Sequence, residues 1–150
     1  MNSRLAFIQD RIGREVTDSR SEISNWLRMT PVSAEKGKIV VTIPVRSDMT
    51  NIMKTIHGGM IATILDDLCG TVCLISADDF FYATINLHVD YLNPASVGDV
   101  LKATAEVVRQ GKTIINVQAV LERADGKIVA RASSNLINTQ IPATNNAGIN

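Results

Sequence analysis

One segment constrains this chain more than any other. Residues 57–77, HGGMIATILDDLCGTVCLISA, carry apolar side chains on nearly every side of a helix. A surface helix shows one apolar stripe, whereas a helix that is apolar all round has to be enclosed by other elements. Its length would suffice to cross a membrane. Asp66, Asp67 and Gly70 interrupt it, however, so it reads as the core of a folded domain with no membrane partner.

The flanking periodicities say what encloses it. Leu5, Ile8, Ile12 and Val16 recur at helical spacing, with Arg4, Arg11 and Arg14 between them, and predict an amphipathic N-terminal helix within residues 1–20. From Met29 the pattern shortens, and MTPVSAEKGKIVVTIPV predicts two strands joined at the turn Glu35-Lys36-Gly37-Lys38. Residues 47–55 read as a loop, and residues 78–82 as a second one, placed to gate a site. Ile85, Leu87, Val89 and Tyr91 then alternate with Thr84, Asn86, His88 and Asp90 across the two faces of a strand. Asn93-Pro94 breaks that strand. Three more follow at 100–109, 113–122 and 128–137, with turns at Gln110-Gly111-Lys112 and Asp125-Gly126. Residues 138–150 are Asn-rich without a period and read as a loose tail. Two strands, one buried helix and four strands predict a single α+β domain over residues 1–150, a curved antiparallel sheet wrapped around the helix.

Composition works by exclusion. Fifteen Lys and Arg balance fifteen Asp and Glu, so the chain lacks the positive excess that nucleic-acid binding needs. A hydrophobic content of 45% excludes a disordered chain. Cys69 and Cys73 lie four apart on one helical face, too far for a comfortable disulfide, and with two histidines they offer no metal-ligand spacing. Reduced core thiols, and an N-terminus with no long apolar stretch, predict a cytoplasmic protein.

Candidate chemistry gathers where loop becomes helix. The first N–H groups of a helix have no partner inside it, and Gly58-Gly59 remove the side chains that would keep a ligand off them. Such a place suits a carbonyl oxygen turning into an oxyanion, or simply close packing of helix on sheet. Asp66 and Asp67 sit within the apolar segment, where an ionised carboxylate is costly without a partner. The neighbours of Asp66 one turn away, Ala62, Thr63, Cys69 and Gly70, are small and leave room for water or ligand. Catalysis and local satisfaction both remain open for it, while Asp67 reads as structural. Asn51 and His57 bracket the loop before the helix, and His88 reads as a structural histidine. Arg109 with Lys112, and Arg123 with Lys127, flank turns where they are solvated or meet phosphates. The sequence holds no dinucleotide, P-loop, serine-hydrolase or zinc-protease motif.

Taken in order, several of these pieces form a known pattern. Asn51, His57-Gly58-Gly59 and Asp66 nine residues after the histidine come first. Asp90-Tyr91-Leu92-Asn93-Pro94-Ala95 with Gly98, Gly111-Lys112 and Asp125-Gly126-Lys127-Ile128-Val129-Ala130 follow. Over about residues 28–137 the chain resembles the hotdog-fold acyl-CoA thioesterases of the phenylacetate-pathway type. The resemblance implies a hotdog fold and hydrolysis of an acyl-CoA to a free acid and coenzyme A, with no cofactor and no metal. It implies that the Gly58 N–H polarises the carbonyl with help from His57 and Asn51. Asp66 is then general base on water, or nucleophile, and Thr84 holds the water. Gly59, Asn86, the segment Tyr91-Leu92-Asn93-Pro94-Ala95-Ser96 and the turn Arg109-Gln110-Gly111-Lys112-Thr113 are implied to contact substrate, the last two along the coenzyme A channel. Homo-oligomers are implied too, dimers that pair into tetramers and whose subunits share each site. Two alternatives stand beside this: a hotdog hydratase or dehydratase of acyl-CoA thioesters, and a non-enzymatic acyl-CoA-sensing module. The Asn-His-Gly-Gly spacing favours hydrolysis, and a sensor would be expected to carry an output domain.

Overall fold

The computed structural model describes residues 3–77 and 79–143. Two short helices, α1 (Ser3–Gln9) and α2 (Glu22–Leu27), precede the hairpin of β1 (Thr30–Glu35) and β2 (Lys38–Pro44). The apolar segment forms α3 (Gly58–Ser76), followed by β3 (Phe80–Tyr91), β4 (Val100–Gln110), β5 (Ile114–Glu122) and β6 (Ile128–Pro142). All six strands join one antiparallel sheet in the order β1-β2-β4-β5-β6-β3. The strands that flank α3 in sequence, β2 and β3, therefore lie far apart in the sheet, and α3 crosses its inner face to join them. This is the hotdog arrangement.

Burial follows the two periodicities. Ile61, Ile64, Leu65, Leu68 and Val72 of α3 share one core with Leu101 of β4, Ile115, Val117 and Leu121 of β5, and Leu136 of β6. Ala103, Ala105, Ala119 and Ala132 are buried between them, and such small side chains let the helix lie close to the sheet. A band of α3 stays partly open: Ala62, Asp66 and Gly70, spaced four apart, and beside them Thr63, Asp67 and Thr71. A Cβ placed on Gly70 would meet nothing within 4 Å.

The structure corrects the expected elements in four places. The N-terminal helix stops at Gln9 instead of filling residues 1–20, because Gly13 takes a left-handed φ of 83° and its N–H donates to Pro31 O. Helix α2 goes unseen in the sequence, since six residues are too few to show a period. Residues 80–82 belong to β3 rather than to a loop, and the strand carries a bulge: Thr84 pairs with Leu136 and Asn86 with Asn135, which leaves Ile85 over. One extra residue reverses side-chain parity. Thr84 thus joins Leu87 and Val89 on the helix side, apart from Asn86, and Ile85 is 50% exposed. Finally, residues 138–142 of the expected tail extend β6 and pair with the start of β3, Tyr82 against Asn138 and Phe80 against Pro142. Their polarity hid a backbone ladder. Residues 144–150 of that tail lie outside the described residues.

Candidate active site

The loop before α3 is drawn onto the β3–β4 connection by the Ile56 N–H, which donates to Ala95 O at 2.8 Å, and by a bridge between Thr55 and Ser96. His57 then caps the helix. Its own N–H donates to Met49 O, and its Nδ1 accepts from the Gly59 N–H at 2.8 Å. An accepting Nδ1 puts the hydrogen of the neutral ring on Nε2. The His57 carbonyl accepts from the N–H groups of Met60 and Ile61, at 2.9 and 3.1 Å. Of the four N–H groups of the first turn, three are thereby engaged. The fourth, that of Gly58, has no acceptor among the described residues.

Beside Gly58 lies a cleft of about 330 Å³, floored by Ile56 and Ile61 and walled by residues 91–94. Tyr91 reaches over it. Its hydroxyl donates to Gly58 O at 3.0 Å, and its ring stands 3.4 Å from where a Cβ on Gly58 would sit. Ala95, by contrast, is buried behind the loop, and the Ser96 N–H is held by Asp99 at 2.8 Å. Asn51 organises its own turn: its Oδ1 accepts from the N–H groups of Met53 and Thr55, and its Nδ2 donates to Thr55 Oγ1 at 3.0 Å.

Two turns further along α3, Asp66 meets β3. The Thr84 hydroxyl donates to Asp66 Oδ1 at 2.8 Å, a pairing that the bulge at Ile85 makes possible. Asp67 points elsewhere, to α2, where the Ser24 hydroxyl donates to its Oδ1 at 2.8 Å. Burial raises the Asp67 carboxyl above its ordinary value against the opposing effect of Ser24, and the neighbouring Asp66 charge adds to the rise. Burial also pushes the Cys69 and Cys73 thiols up to about 12, so neither is a thiolate nucleophile at neutral pH.

Within one chain the remaining predicted residues do not converge. Asn86 bonds across the outer face to Asn135, which bonds Asn116 in turn. The turn carrying Arg109, Gln110, Gly111, Lys112 and Thr113 lies at the opposite end of the sheet from Gly58, near the C-terminal end of α3. Gly111 is required there, because a Cβ would come 2.9 Å from Ile114 O. Arg123 is the basic residue that reaches the cleft wall; its Nη1 donates to Pro94 O at 3.1 Å. Ser24 was not foreseeable, being 43 residues from Asp67 on an element with no sequence signal.

The donor and the carboxylate are also separate. Eight residue steps of helix separate Gly58 from Asp66, about 12 Å at 1.5 Å per residue.

Comparison with known proteins is consistent throughout. Residues 53–130 match the thioesterase superfamily. The chain is 31% identical to acyl-coenzyme A thioesterase 13 of Homo sapiens over 123 residues, which span 79% of this chain and 88% of that protein. Among solved structures it is similar to smu.793 from Streptococcus mutans bound to acetyl CoA, with a TM-score of 0.75 and 27% identity over 83% of this chain and 95% of that one. The PaaI protein of E. coli, from the phenylacetic acid degradation operon, superposes with a TM-score of 0.82 at 22% identity, over 95% and 99% of the two chains, and speaks for the fold.

Proposed function

The chain belongs to the thioesterase superfamily and is a thioester hydrolase, and from that premise we propose that it hydrolyses an acyl-CoA at a site shared by two copies of the chain. One observation carries this reading: the Gly58 N–H has no acceptor among the described residues and stands at the positive end of a long helix, beside an apolar cleft. The thioester oxygen accepts from that N–H, with the Nε2–H of His57 as the next donor. Negative charge building on the oxygen then meets a donor already in place, an effect worth ~10²–10³ in rate.

Asp66, its Oδ1 held by Thr84, takes a proton from water through Oδ2 as the water oxygen bonds to the carbonyl carbon. The carbonyl π pair moves onto oxygen. When the tetrahedral adduct collapses the C–S bond breaks, and the proton on Asp66 passes to the departing thiolate. Direct attack by Asp66 uses the same parts: the thiolate leaves an acyl–aspartyl anhydride, which water cleaves.

The helix rise supports sharing. A carbonyl carbon and oxygen are ~1.2 Å apart, so a donor and a base whose backbone positions lie ~12 Å apart on one rod would address them only with every contact stretched out in line. A twofold axis that runs two α3 helices antiparallel sets Gly58 of each against Asp66 of the other and makes both sites equal. It also carries the Arg109–Thr113 turn of the chain supplying Asp66 toward its partner's Gly58, where Arg109 and Lys112 attract the phosphates of coenzyme A. The test is subunit exchange between His57→Ala and Asp66→Ala proteins, with release of free coenzyme A followed by a thiol reagent. Random pairing regenerates one intact site in half of the dimers, so activity returns to about a quarter of wild type. Parents that exchange subunits yet recover nothing would place the whole site on one chain.

A further inference from the structure

The peptide group between Gly58 and Gly59 is met by a ring-bearing side chain at each end. The Tyr91 hydroxyl donates to its oxygen, Gly58 O, at 3.0 Å, and its N–H, that of Gly59, donates to His57 Nδ1 at 2.8 Å. From this continuity we infer that Tyr91 is a positioning residue for His57. It acts through the 58–59 peptide and holds the imidazole with its Nε2–H toward the thioester oxygen. This rests on the hydrolase reading above, and it gives Tyr91 a task apart from the substrate contact that the family resemblance implies.

Each bond in the series strengthens the next. A peptide is one conjugated unit, so a hydrogen bond to its oxygen draws charge from its nitrogen and makes the N–H a stronger donor. Polarisation of this kind is worth ~10–30% of a bond. The Gly58 carbonyl has two lone pairs and can take the hydroxyl in addition to the helical N–H of the following turn. At the other end Nδ1 has to accept, since a hydrogen there would face the hydrogen of Gly59. The neutral ring is thereby held in the one tautomer that keeps Nε2 a donor.

The glycine pair fits both ends. The His57 ring turns back over Gly59, where a Cβ would come 3.1 Å from Nδ1, and the Tyr91 ring would touch a Cβ on Gly58 at 3.4 Å. A side chain at position 59 would therefore push the imidazole aside. The phenol is fixed from the sheet: Tyr91 pairs with Ala130 as the last residue of β3, and the next N–H, that of Leu92, donates to Val129 O at 2.9 Å. The series thus ties the aim of the helix-capping histidine to the end of a strand 34 positions along the chain.

Tyr91→Phe removes the hydroxyl and keeps the ring, at a half-exposed residue outside the core. Release of free coenzyme A gives kcat and KM with whichever of acetyl-, octanoyl- and benzoyl-CoA wild type cleaves fastest. The variant is expected to lose about fivefold in kcat with KM within about twofold, because a misaimed donor costs the transition state more than the bound substrate. His57→Ala is expected to lose ~10²-fold, as for one oxyanion donor. Adding Tyr91→Phe to it should then change kcat by less than about 1.5-fold, since a residue that acts through another has nothing left to act on. The same loss in both backgrounds, an unchanged kcat in the single variant, or a raised KM in both overturns the proposal. If Tyr91→Phe does not fold, Gly59→Ala breaks the series at its other end, with the same fivefold loss expected and an unchanged kcat again contrary.

Nitrogen NMR in alkaline buffer reads the series without turnover. In wild type His57 is expected to carry its hydrogen on Nε2, and either variant is expected to shift the Nδ1 resonance toward that of a ring lacking the Gly59 bond. A hydrogen on Nδ1 in wild type, or an Nδ1 resonance that does not move, overturns the proposal. If wild type hydrolyses no thioester, the hydrolase reading fails instead, and these spectra alone decide whether Tyr91 holds His57.

Discussion

Asp66 and Asp67 are the same side chain one residue apart, and α3 sends them in different directions. Neighbours on a helix are turned by about 100°, so one carboxylate faces β3 and the other faces α2. Each finds a hydroxyl donor at the same 2.8 Å, Thr84 for Asp66 and Ser24 for Asp67. The hydrogen bond does not distinguish them. Surroundings do: both are partly covered, but burial lifts the Asp67 carboxyl, held under α2, while Asp66 lies one turn from Gly70, where a Cβ would meet nothing within 4 Å. A base must reach both water and substrate, and the burial that lifts Asp67 works against that. The clamp over Asp67 is itself well fixed, since Arg46 donates to the carbonyls of Trp26 and Leu27 and stacks over the Trp26 ring.

Three substitutions break or sharpen this contrast. The largest effect belongs to Asp66→Asn, which keeps the shape and removes the base; kcat should drop at least ~10²-fold with an unchanged melting temperature. Turnover near the wild-type rate in purified protein would show that the roles are misassigned. Thr84→Ala comes next, with an expected loss of about tenfold in kcat, because the carboxylate loses its orienting donor but not its basicity. A loss as large as that of Asp66→Asn would instead make Thr84 the nucleophile.

Asp67→Asn should be smallest in activity, within about twofold of wild type, and visible in stability. The folded carboxyl sits above its ordinary value of 3.8, so between those two values the native state binds more protons than the unfolded chain. Stability contributed by this group is therefore present at low pH and lost as pH climbs through the folded value, at ~1.4 kcal/mol for each unit of elevation. Asparagine still offers Ser24 an acceptor and does not titrate. Urea midpoints at pH 4 and pH 7 should fall further in wild type than in the variant as pH rises. Equal changes would mean that Asp67 is hydrated after all, and that α2 does not separate the two carboxylates.

How much of this was legible beforehand differs from region to region. The donor end of α3 was, because a Gly-Gly start after a capping residue is a local pattern and its N–H groups are unpartnered by construction. That three of the four would be engaged by His57 was not, since it depends on the ring turning back onto Gly59. The strand content of 80–91 was visible as alternation, but the bulge at Ile85 was not, and it put Thr84 on the helix side where strict alternation would have placed it with Asn86 on the other. Residues 138–142 read as loose because they are polar. Their pairing with β3 is made by backbone groups, which composition does not report.

By itself the sequence determined that residues 57–77 form an enclosed helix, that strands in antiparallel order enclose it, and that a carboxylate rides on it two turns from an exposed glycine start. These are consequences of periodicity and local conformational preference, which a chain expresses wherever it goes. Tertiary structure alone decided which carboxylate burial lifts, which first-turn donor has no acceptor among the described residues and which face Thr84 shows. Each of those depends on what arrives from elsewhere: β3 from 18 residues along the chain for Asp66, α2 from 43 residues for Asp67. Access to water and the identity of a hydrogen-bond partner are properties of packed neighbours, and no local spacing encodes them.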